Sequence, residues 1–248
     1  MKSIFRAYCT RLFRNIFYIL GLAIAFALTY WFTQNGSGMG LLHRKITDFD
    51  YSLLASLGIP AFFSVYTPLF LSAEHKGGAF RNKLICGKTR NQIYFATLLT
   101  MILAMLIMTA VWTAGALLAA STKPAAEVIV MSIIKVLLYN TAALSYLVYI
   151  ALTITNEAAV TAIEFMSFQF SFFAVMMLQM IMGAVSDGAG KVIAYIINLI
   201  PIGQWLSISA IGDESTHIPG AAQLILSVIM IVLISVYGSR MFAKKDIK

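Results

Sequence analysis

The stretch NKLICGKT, from Asn82 to Thr89, differs at one position from a phosphate-binding Walker A loop. Such a loop has the pattern G-x-x-x-x-G-K-[ST], in which glycine backbone and a helix N-terminus surround the phosphates while Lys and Ser/Thr contact phosphate and Mg²⁺. Gly87, Lys88 and Thr89 fit the pattern, but Asn82 stands at the first glycine. Whether these residues bind a nucleotide depends on the elements that surround them.

Other residues that commonly carry chemistry form no recognisable set in this sequence. It contains neither H-E-x-x-H nor G-x-S-x-G, and His43, His75 and His217 are scattered among predicted connections. Those two patterns supply the metal ligands of zinc hydrolases and the nucleophile of serine hydrolases. We therefore predict no catalytic residue, no metal site and no cofactor bound by this chain.

Two polar stripes follow helical spacing, one in the second long apolar run and one in the fifth. An ionisable residue inside a membrane span is a candidate functional residue, but buried polar groups also hold helices together. Two interpretations stay open: the stripes line a substrate pathway, or they serve helix packing and dimer contact. The candidates are Ser56, Phe63 and Thr67 in the second run, and Glu164, Phe168, Ser171, Phe172 and Gln179 in the fifth.

The composition predicts an integral membrane protein. Of the 248 residues, 60% are hydrophobic and only 11% are charged, whereas soluble domains have about 25% charged residues. A membrane-spanning helix needs about 20 mainly apolar residues. Six runs fit this length, at 16–33, 52–73, 93–120, 128–154, 158–183 and 218–238, and a seventh, at 192–211, is interrupted by Pro201 and Gly203.

The distribution of charge predicts the orientation. The chain has 18 Lys and Arg residues against 10 Asp and Glu, and most of the basic residues lie before the first run, between the second and third, and after the sixth. Basic connections stay on the cytoplasmic side, so we expect both termini in the cytoplasm and the chain in the cytoplasmic membrane. Seven crossings would place the basic tail outside. Run 192–211 is therefore predicted to be a re-entrant segment in the outer leaflet.

Residues 1–15 are predicted to form an amphipathic helix on the inner membrane surface. Apolar residues recur there at helical spacing, and Arg6, Arg11 and Arg14 fall mostly outside the apolar stripe. The alternative is a cluster of orienting charges without an ordered helix. Cys9 and Cys86 both fall on the predicted cytoplasmic side, where no disulfide is expected.

The connection between the second and third runs, residues 74–92, answers the question of the phosphate loop. It is too short for the strand–helix–strand unit of about 30 residues that holds a Walker A loop, so we predict no nucleotide site. Glycines at 77, 78 and 87 instead bound a predicted short helix at 79–86. This helix would form a docking surface, or the segment is an ordinary basic loop without a partner. Its candidate apolar contacts are Phe80, Leu84 and Ile85, and its positive rim is Arg81, Lys83, Lys88 and Arg90.

The same connection, EHKGGAFRNKLICGKTR, resembles the E-x-x-x-G-T-x-x-x-x-L run, followed by Arg, of the permease subunits of ABC type-2 exporters. Ala79 stands where Thr is usual, and Gly87 where Pro is common. The layout is similar over the whole length, and the ending FAKKDIK is similar to the short basic endings of such permeases. The matching residues are Glu74, Gly78, Leu84 and Arg90.

In that family the connection is a coupling helix that sits in a cleft of a separate ATPase. The resemblance implies this coupling role for Glu74, Gly78, Leu84 and Arg90. We add Arg81 and Lys83 to this set because of their positive charge. It also implies that spans two and five border the transport path. ATP and Mg²⁺ would be bound by partner ATP-binding cassette ATPase subunits, and a second permease subunit would complete a homodimer or heterodimer in the lipid bilayer.

An amphipathic or hydrophobic substrate is expected, with a bacterial peptide such as a bacteriocin or toxin as the first hypothesis, and no nucleic acid. The competing hypothesis is an ATP-independent channel or sensor whose basic loop docks a regulatory protein. The predicted fold is all-α and integral to the membrane, with one permease domain over residues 1–248 and six transmembrane helices. An interfacial helix at 1–15, a coupling helix within 74–92 and a re-entrant segment within the extracytoplasmic loop 184–217 complete it.

Overall fold

The computed structural model of the protein describes residues 1–36, 47–209 and 218–245. His43, His217 and the part of the loop 184–217 beyond residue 209 lie outside the described residues. The described residues form eleven α-helices and no strand. The helices are α1 (Lys2–Phe13), α2 (Ile16–Asn35), α3 (Asp48–Ala55), α4 (Gly58–Lys76), α5 (Ala79–Ile85), α6 (Arg90–Ala119), α7 (Ala126–Thr153), α8 (Glu157–Met182), α9 (Asp187–Asn198), α10 (Pro201–Ile208) and α11 (Gly220–Lys244).

Six elements are long and apolar enough to cross a bilayer: α2, α3 with α4 as one span, α6, α7, α8 and α11. This confirms the predicted all-α integral membrane fold with six spans. The predicted boundaries agree closely, except that the second span runs over Asp48–Lys76 and the last continues to Lys244. Both extensions add polar or charged turns that a hydropathy criterion leaves out.

Side chains at the helix ends fix the connections that carry the candidate residues. Asn15 Oδ1 accepts a hydrogen bond from the backbone N–H of Phe17 at 2.9 Å and begins α2. Thr89 and Gln92 form a capping box that begins α6. Such caps bind the free N–H groups of a first turn and set where the helix starts. The connection from α5 to α6 is therefore short and has a defined end.

The second span is broken between α3 and α4. Pro60 has no N–H to bond with the carbonyl of Ser56, one turn earlier, and its ring crowds that carbonyl. Ile59 N donates to that carbonyl instead at 3.2 Å, and three buried side chains from other helices also bind the carbonyls around the break. Trp112 Nε1 donates to Ser52 O at 2.8 Å, Trp205 Nε1 to Leu53 O at 2.9 Å and Tyr139 Oη to Ser56 O at 2.8 Å.

One end of the helix bundle, here called the basic end, is formed by α1, residues 74–92 and residues 242–245. These segments contact one another: Lys83 Nζ donates to Tyr8 Oη at 2.8 Å, and the Phe80 and Phe242 ring centroids are 6.0 Å apart. Both described chain ends thus lie at the basic end, as an even number of crossings requires. At the opposite end, Asp48 accepts a hydrogen bond from Ser121 Oγ at 2.7 Å.

Helices α9 and α10 form a bent pair before the last span, and the chain turns by 109° between them. Helix α8 starts at the basic end, so α9 begins at the opposite end. Helix α10 lies there too, since Trp205 reaches α3, and Ser227 in α11 donates to Gln204 Oε1 at 2.8 Å. The pair enters and leaves in the same half of the bundle. Its re-entrant position in a bilayer stays a prediction.

Candidate functional site

The short helix α5 at the basic end is bounded by two glycines with left-handed backbone. Gly78 precedes the helix with φ 62°, and Gly87 follows it with φ 75°. Glycine adopts this conformation without the steric penalty of a Cβ. Phe80, expected to offer an outward apolar contact, is instead 2% exposed and packs on His75 and Phe242. It anchors the helix to the bundle because its ring fills the space between α4 and α11.

The Glu74 carboxylate joins α1, α4 and α5. Arg11 Nη1 donates to its Oε1 at 3.0 Å, Tyr8 Oη donates to its Oε2 at 3.3 Å, and Lys83 forms an ion pair with it. Arg11 also donates to Phe70 O at 2.5 Å. Arg11, predicted to fall mostly outside the apolar stripe, is half-buried, and its guanidinium turns inward to the Glu74 carboxylate and the Phe70 carbonyl.

Tyr8 is the neutral member of this cluster. Burial, and after it the Glu74 carboxylate, raise the pKa of Tyr8 above its ordinary value. The phenol therefore stays protonated and can donate to Glu74 while it accepts a hydrogen bond from Lys83. A helix does form at residues 2–13, as predicted, and its buried residues are Ile4, Tyr8 and Leu12.

Further polar contacts tie the neighbourhood of α5 to the remaining spans. Lys76 pairs with Glu157 at the start of α8, and His75 Nε2 lies 3.1 Å from Ala151 O in α7. Arg90 Nη1 donates to Ala243 O at 2.5 Å and so joins α6 to α11. Lys245 Nζ donates to Leu152 O at 2.9 Å, and burial lowers the pKa of Lys245. A displacement of α5 would therefore act on every span that it is tied to.

The predicted coupling residues divide into an inner and an outer group. Glu74 and Lys83 bond to each other and Gly78 shapes the backbone, so these three position α5, whereas Arg90 joins α6 to α11. Leu84 is half-buried against the core. Arg81 is exposed. The outward surface of α5 consists of Arg81, Asn82, Ile85 and Cys86, and Ile85 is 73% exposed.

The residues of the near-miss phosphate loop serve the fold. Thr89 Oγ1 accepts a hydrogen bond from Gln92 N at 3.2 Å as the cap of α6. Lys88 N donates to Lys83 O at 3.0 Å and closes α5. The segment lies between two helices, whereas a Walker A loop lies between a strand and a helix. Its resemblance to that loop comes from helix-ending and helix-starting residues placed next to each other.

A cavity of about 300 Å³ lies within the spans, where five parts of the chain meet. Pro60 of α4 and Tyr139 and Tyr146 of α7 line one side. Helix α8 contributes Glu164, Ser167, Phe168 and Ser171; the α9–α10 turn contributes residues 199–202; and α11 contributes Met230 and Ile234. The bent pair thus closes one wall of the cavity.

Three of the eight predicted pathway residues, Glu164, Phe168 and Ser171, line this cavity. Ser56 lies beside it, since its Oγ is 3.1 Å from the hydroxyl of the lining residue Tyr139. Phe63 and Thr67 are buried within the bundle, whereas Phe172 and Gln179 are half-buried. The structure therefore brings Glu164, Phe168 and Ser171 of the fifth-span stripe together at the cavity, and the other predicted pathway residues do not line it.

Sequence reasoning missed Tyr139, Tyr146 and the α9–α10 turn as cavity-lining residues, and Tyr8 as a partner of Glu74. The interruption at Pro201 was the available signal for the turn, because broken helices in membranes need protein around their free backbone groups. Tyr139 had no such signal, since its role depends on a carbonyl more than eighty positions away. No protein-family model matches this chain, and no curated protein matches it.

Proposed function

We propose that this chain is the membrane subunit of an ATP-driven exporter of the ABC type-2 kind, with α5 as the helix that docks a separate ATPase. The proposal rests on one observation: α5 is fixed to the bundle on one side and exposes a tip, Arg81 and Ile85, on the other. Glu74, Lys83 and Phe80 hold α5 to the bundle, while Ile85 and Arg81 point outward. A partner that moved this tip would move the ends of several spans.

The chemistry of the tip suits a protein partner. Ile85 is a large apolar side chain that is 73% exposed among charged and polar neighbours at an end with an excess of Lys and Arg. Apolar anchors surrounded by a polar rim are typical of the centres of protein interfaces. The basic end faces the cytoplasm in the proposed orientation, which is where ATP and an ATPase partner are found.

A second permease subunit is supported by the outward surface of α8. Half of its 26 residues are exposed, and Phe170, Phe173 and Met180 are each more than half exposed. Gln169, at the centre of the span, is also exposed. An amide in contact with lipid tails lacks hydrogen-bond partners, and a neighbouring helix can supply them. The proposed substrate is amphipathic or hydrophobic, with a peptide first, and this choice rests on the resemblance to ABC type-2 permeases.

The test is site-specific photo-crosslinking in native membranes, with the reactive group placed at Ile85 and, as the matched control, at Lys123 at the opposite end. We expect the Ile85 position to capture an ATP-binding cassette ATPase subunit and the Lys123 position to capture none. Purified with that partner, the Ile85→Asp variant should lose transport-coupled ATP hydrolysis. Leu84 is less suitable for this test because it also packs against the core.

Capture at Ile85 of a protein without nucleotide-binding activity would overturn the proposal in favour of a channel or sensor docked by a regulatory protein. Specific ATP binding by the purified chain alone would overturn it in favour of the phosphate-loop hypothesis. The two outcomes are separated by measuring ATP binding on the purified chain and on the crosslinked partner in parallel.

A further inference from the structure

We propose that the cavity within the spans binds an organic cation, a protonated amine carried on an apolar body, with Glu164 as its counter-ion. The carboxylate of Glu164 is 0% exposed and lines the cavity. Both of its oxygens lack a hydrogen-bond partner within the described residues. A buried, unpaired carboxyl group is costly to keep in a fold, so its retention is explained by a partner that comes from outside the chain.

Three hydroxyl groups that line the cavity do not serve Glu164, because they donate their hydrogen bonds elsewhere. Ser167 Oγ donates to the Glu164 backbone carbonyl at 2.9 Å, and Ser171 Oγ donates to Ser167 O at 2.7 Å. The Tyr139 hydroxyl donates to Ser56 O at 2.8 Å. Among the described residues that line the cavity, none is basic. The site therefore offers acceptors without a cation of its own.

The other walls suit the apolar part and the charge of such a ligand. Phe168, Tyr139 and Tyr146 bring aromatic rings to the cavity, and aromatic faces attract ammonium groups, most strongly away from water. Pro60 and Leu147 add apolar surface. The volume of about 300 Å³ lies at the lower end of small-molecule sites. It fits an alkylammonium group or a single lysine-like side chain and excludes a whole folded peptide.

The rim indicates how the ligand enters. Tyr146 is 36% exposed and Leu199 is 44% exposed, and both line the cavity. Tyr146 belongs to the span α7, and Leu199 belongs to the α9–α10 turn. A lipophilic amine could reach the site from the membrane phase. That such amines are transported rests on the proposed exporter function. That they bind in the cavity concerns this chain alone.

The test measures binding of dansylcadaverine, a fluorescent primary alkylamine, to the full-length chain in lipid nanodiscs. The matched probe is the same dansyl alkyl chain ending in a hydroxyl group. We expect saturable binding of the amine, with affinity lowered about tenfold or more by Glu164→Gln, as for the loss of a charge-assisted contact. Glu157→Gln, which removes a carboxylate at the basic end, should leave amine affinity unchanged.

Thermal unfolding of the same variants separates a ligand site from a structural role. Because Glu164 has no hydrogen-bond partner among residues 1–36, 47–209 and 218–245, Glu164→Gln should keep or raise the unfolding temperature while amine affinity falls. Ala143→Phe, which fills the cavity from α7, should also abolish amine binding. Equal amine affinity in the wild type and Glu164→Gln, or equal affinity for the amine and the alcohol, would overturn the inference.

The binding assay and the crosslinking assay test the two proposals independently. Loss of amine binding with intact crosslinking at Ile85 would refute the cation site and leave the exporter proposal standing. Amine binding by a chain that captures no ATPase would refute the exporter proposal and leave the site standing.

Discussion

At the scale of single residues, Glu74 has the largest number of partners at the basic end. Its side chain is 10% exposed, and it bonds to two cationic groups and one phenol, which belong to two other helices. Exposed ion pairs add little to stability, but removing one member of a buried pair leaves uncompensated charge. The partners Arg11 and Lys83 are partly exposed. The stability lost on removing Glu74 should therefore lie between the values for exposed and for buried ion pairs.

Glu74→Gln should therefore lower the free energy of unfolding by about 2 kcal/mol, between the costs for exposed and buried pairs. For a chain of this size that is about 4–8 °C in the unfolding temperature, measurable by thermal unfolding in detergent. Glu157→Gln is the control, since its partner Lys76 is 70% exposed. Equal shifts in the two variants would show that the Glu74 cluster does not hold α1 and α5 in place.

The two cysteines should differ in reactivity. Cys86 is exposed at the tip of α5, whereas Cys9 is half-buried, and burial raises the pKa of Cys9. The thiolate is the reactive form, so at neutral pH less of Cys9 is reactive and access to it is restricted. Maleimide should label Cys86 about tenfold faster than Cys9, and Cys86→Ser should leave only the slow phase. A fast phase that survives in Cys86→Ser would contradict this placement of α1.

At the scale of elements, the break in the second span shows which part of the fold a sequence can predict. The local part of the break is Pro60, because a proline removes a hydrogen-bond donor and crowds the preceding turn wherever it stands in a helix. The donors Trp112, Tyr139 and Trp205 could not be predicted, since each bonds a carbonyl far from it in sequence. For the same reason, helical spacing placed Glu164 on a polar stripe of the fifth run but gave no sign that its carboxylate lacks a hydrogen-bond partner among the described residues.

The turn between α9 and α10 depends on a glycine for close approach. A Cβ on Gly203 would lie 2.0 Å from Ile197 O, so Gly203→Ala must push α10 away from α9. We expect a loss of at least about 2 kcal/mol, as for overpacked cores, seen as a lower unfolding temperature. Gly188→Ala in α9, where a Cβ meets nothing within 4 Å, should be neutral or slightly stabilising because alanine favours helix. A neutral Gly203→Ala would mean that the two helices are not tightly packed at this turn.

At the scale of the whole molecule, the sequence predicted the six spans and the clustering of basic segments, because length, apolar composition and charge are additive along the chain. It did not predict which side of α5 faces outward. Helical spacing gave Phe80, Leu84 and Ile85 equal weight as contacts, whereas the structure buries Phe80 and exposes Ile85. That difference arises from the packing of α5 on α4 and α11, which no local pattern contains.

The orientation of the bundle can be measured with single cysteines in a chain that lacks Cys9 and Cys86. Labels at Ser121, Lys191 and Pro219 should react from outside the cell, because all three lie at the opposite end from the basic end. Labels at Thr89 and Lys244 should react only after permeabilisation. Reaction of Lys191 and Pro219 from different sides would make α9 and α10 a seventh crossing, and outside labelling of Lys244 would reverse the orientation.

The broken second span also bears on the order in which the protein can be assembled during synthesis. Its carbonyls at residues 52, 53 and 56 are bound by side chains of Trp112, Trp205 and Tyr139, all of which emerge from the ribosome after α3 and α4. Until then those carbonyls have only local donors, which are Ser56 N for Ser52 O, Ser56 Oγ for Leu53 O and Ile59 N for Ser56 O. The two helices of the second span can therefore form when they are made, but the contacts that fix the break between them are completed later. The last of these contacts comes from Trp205 in α10, about 150 residues further along the chain.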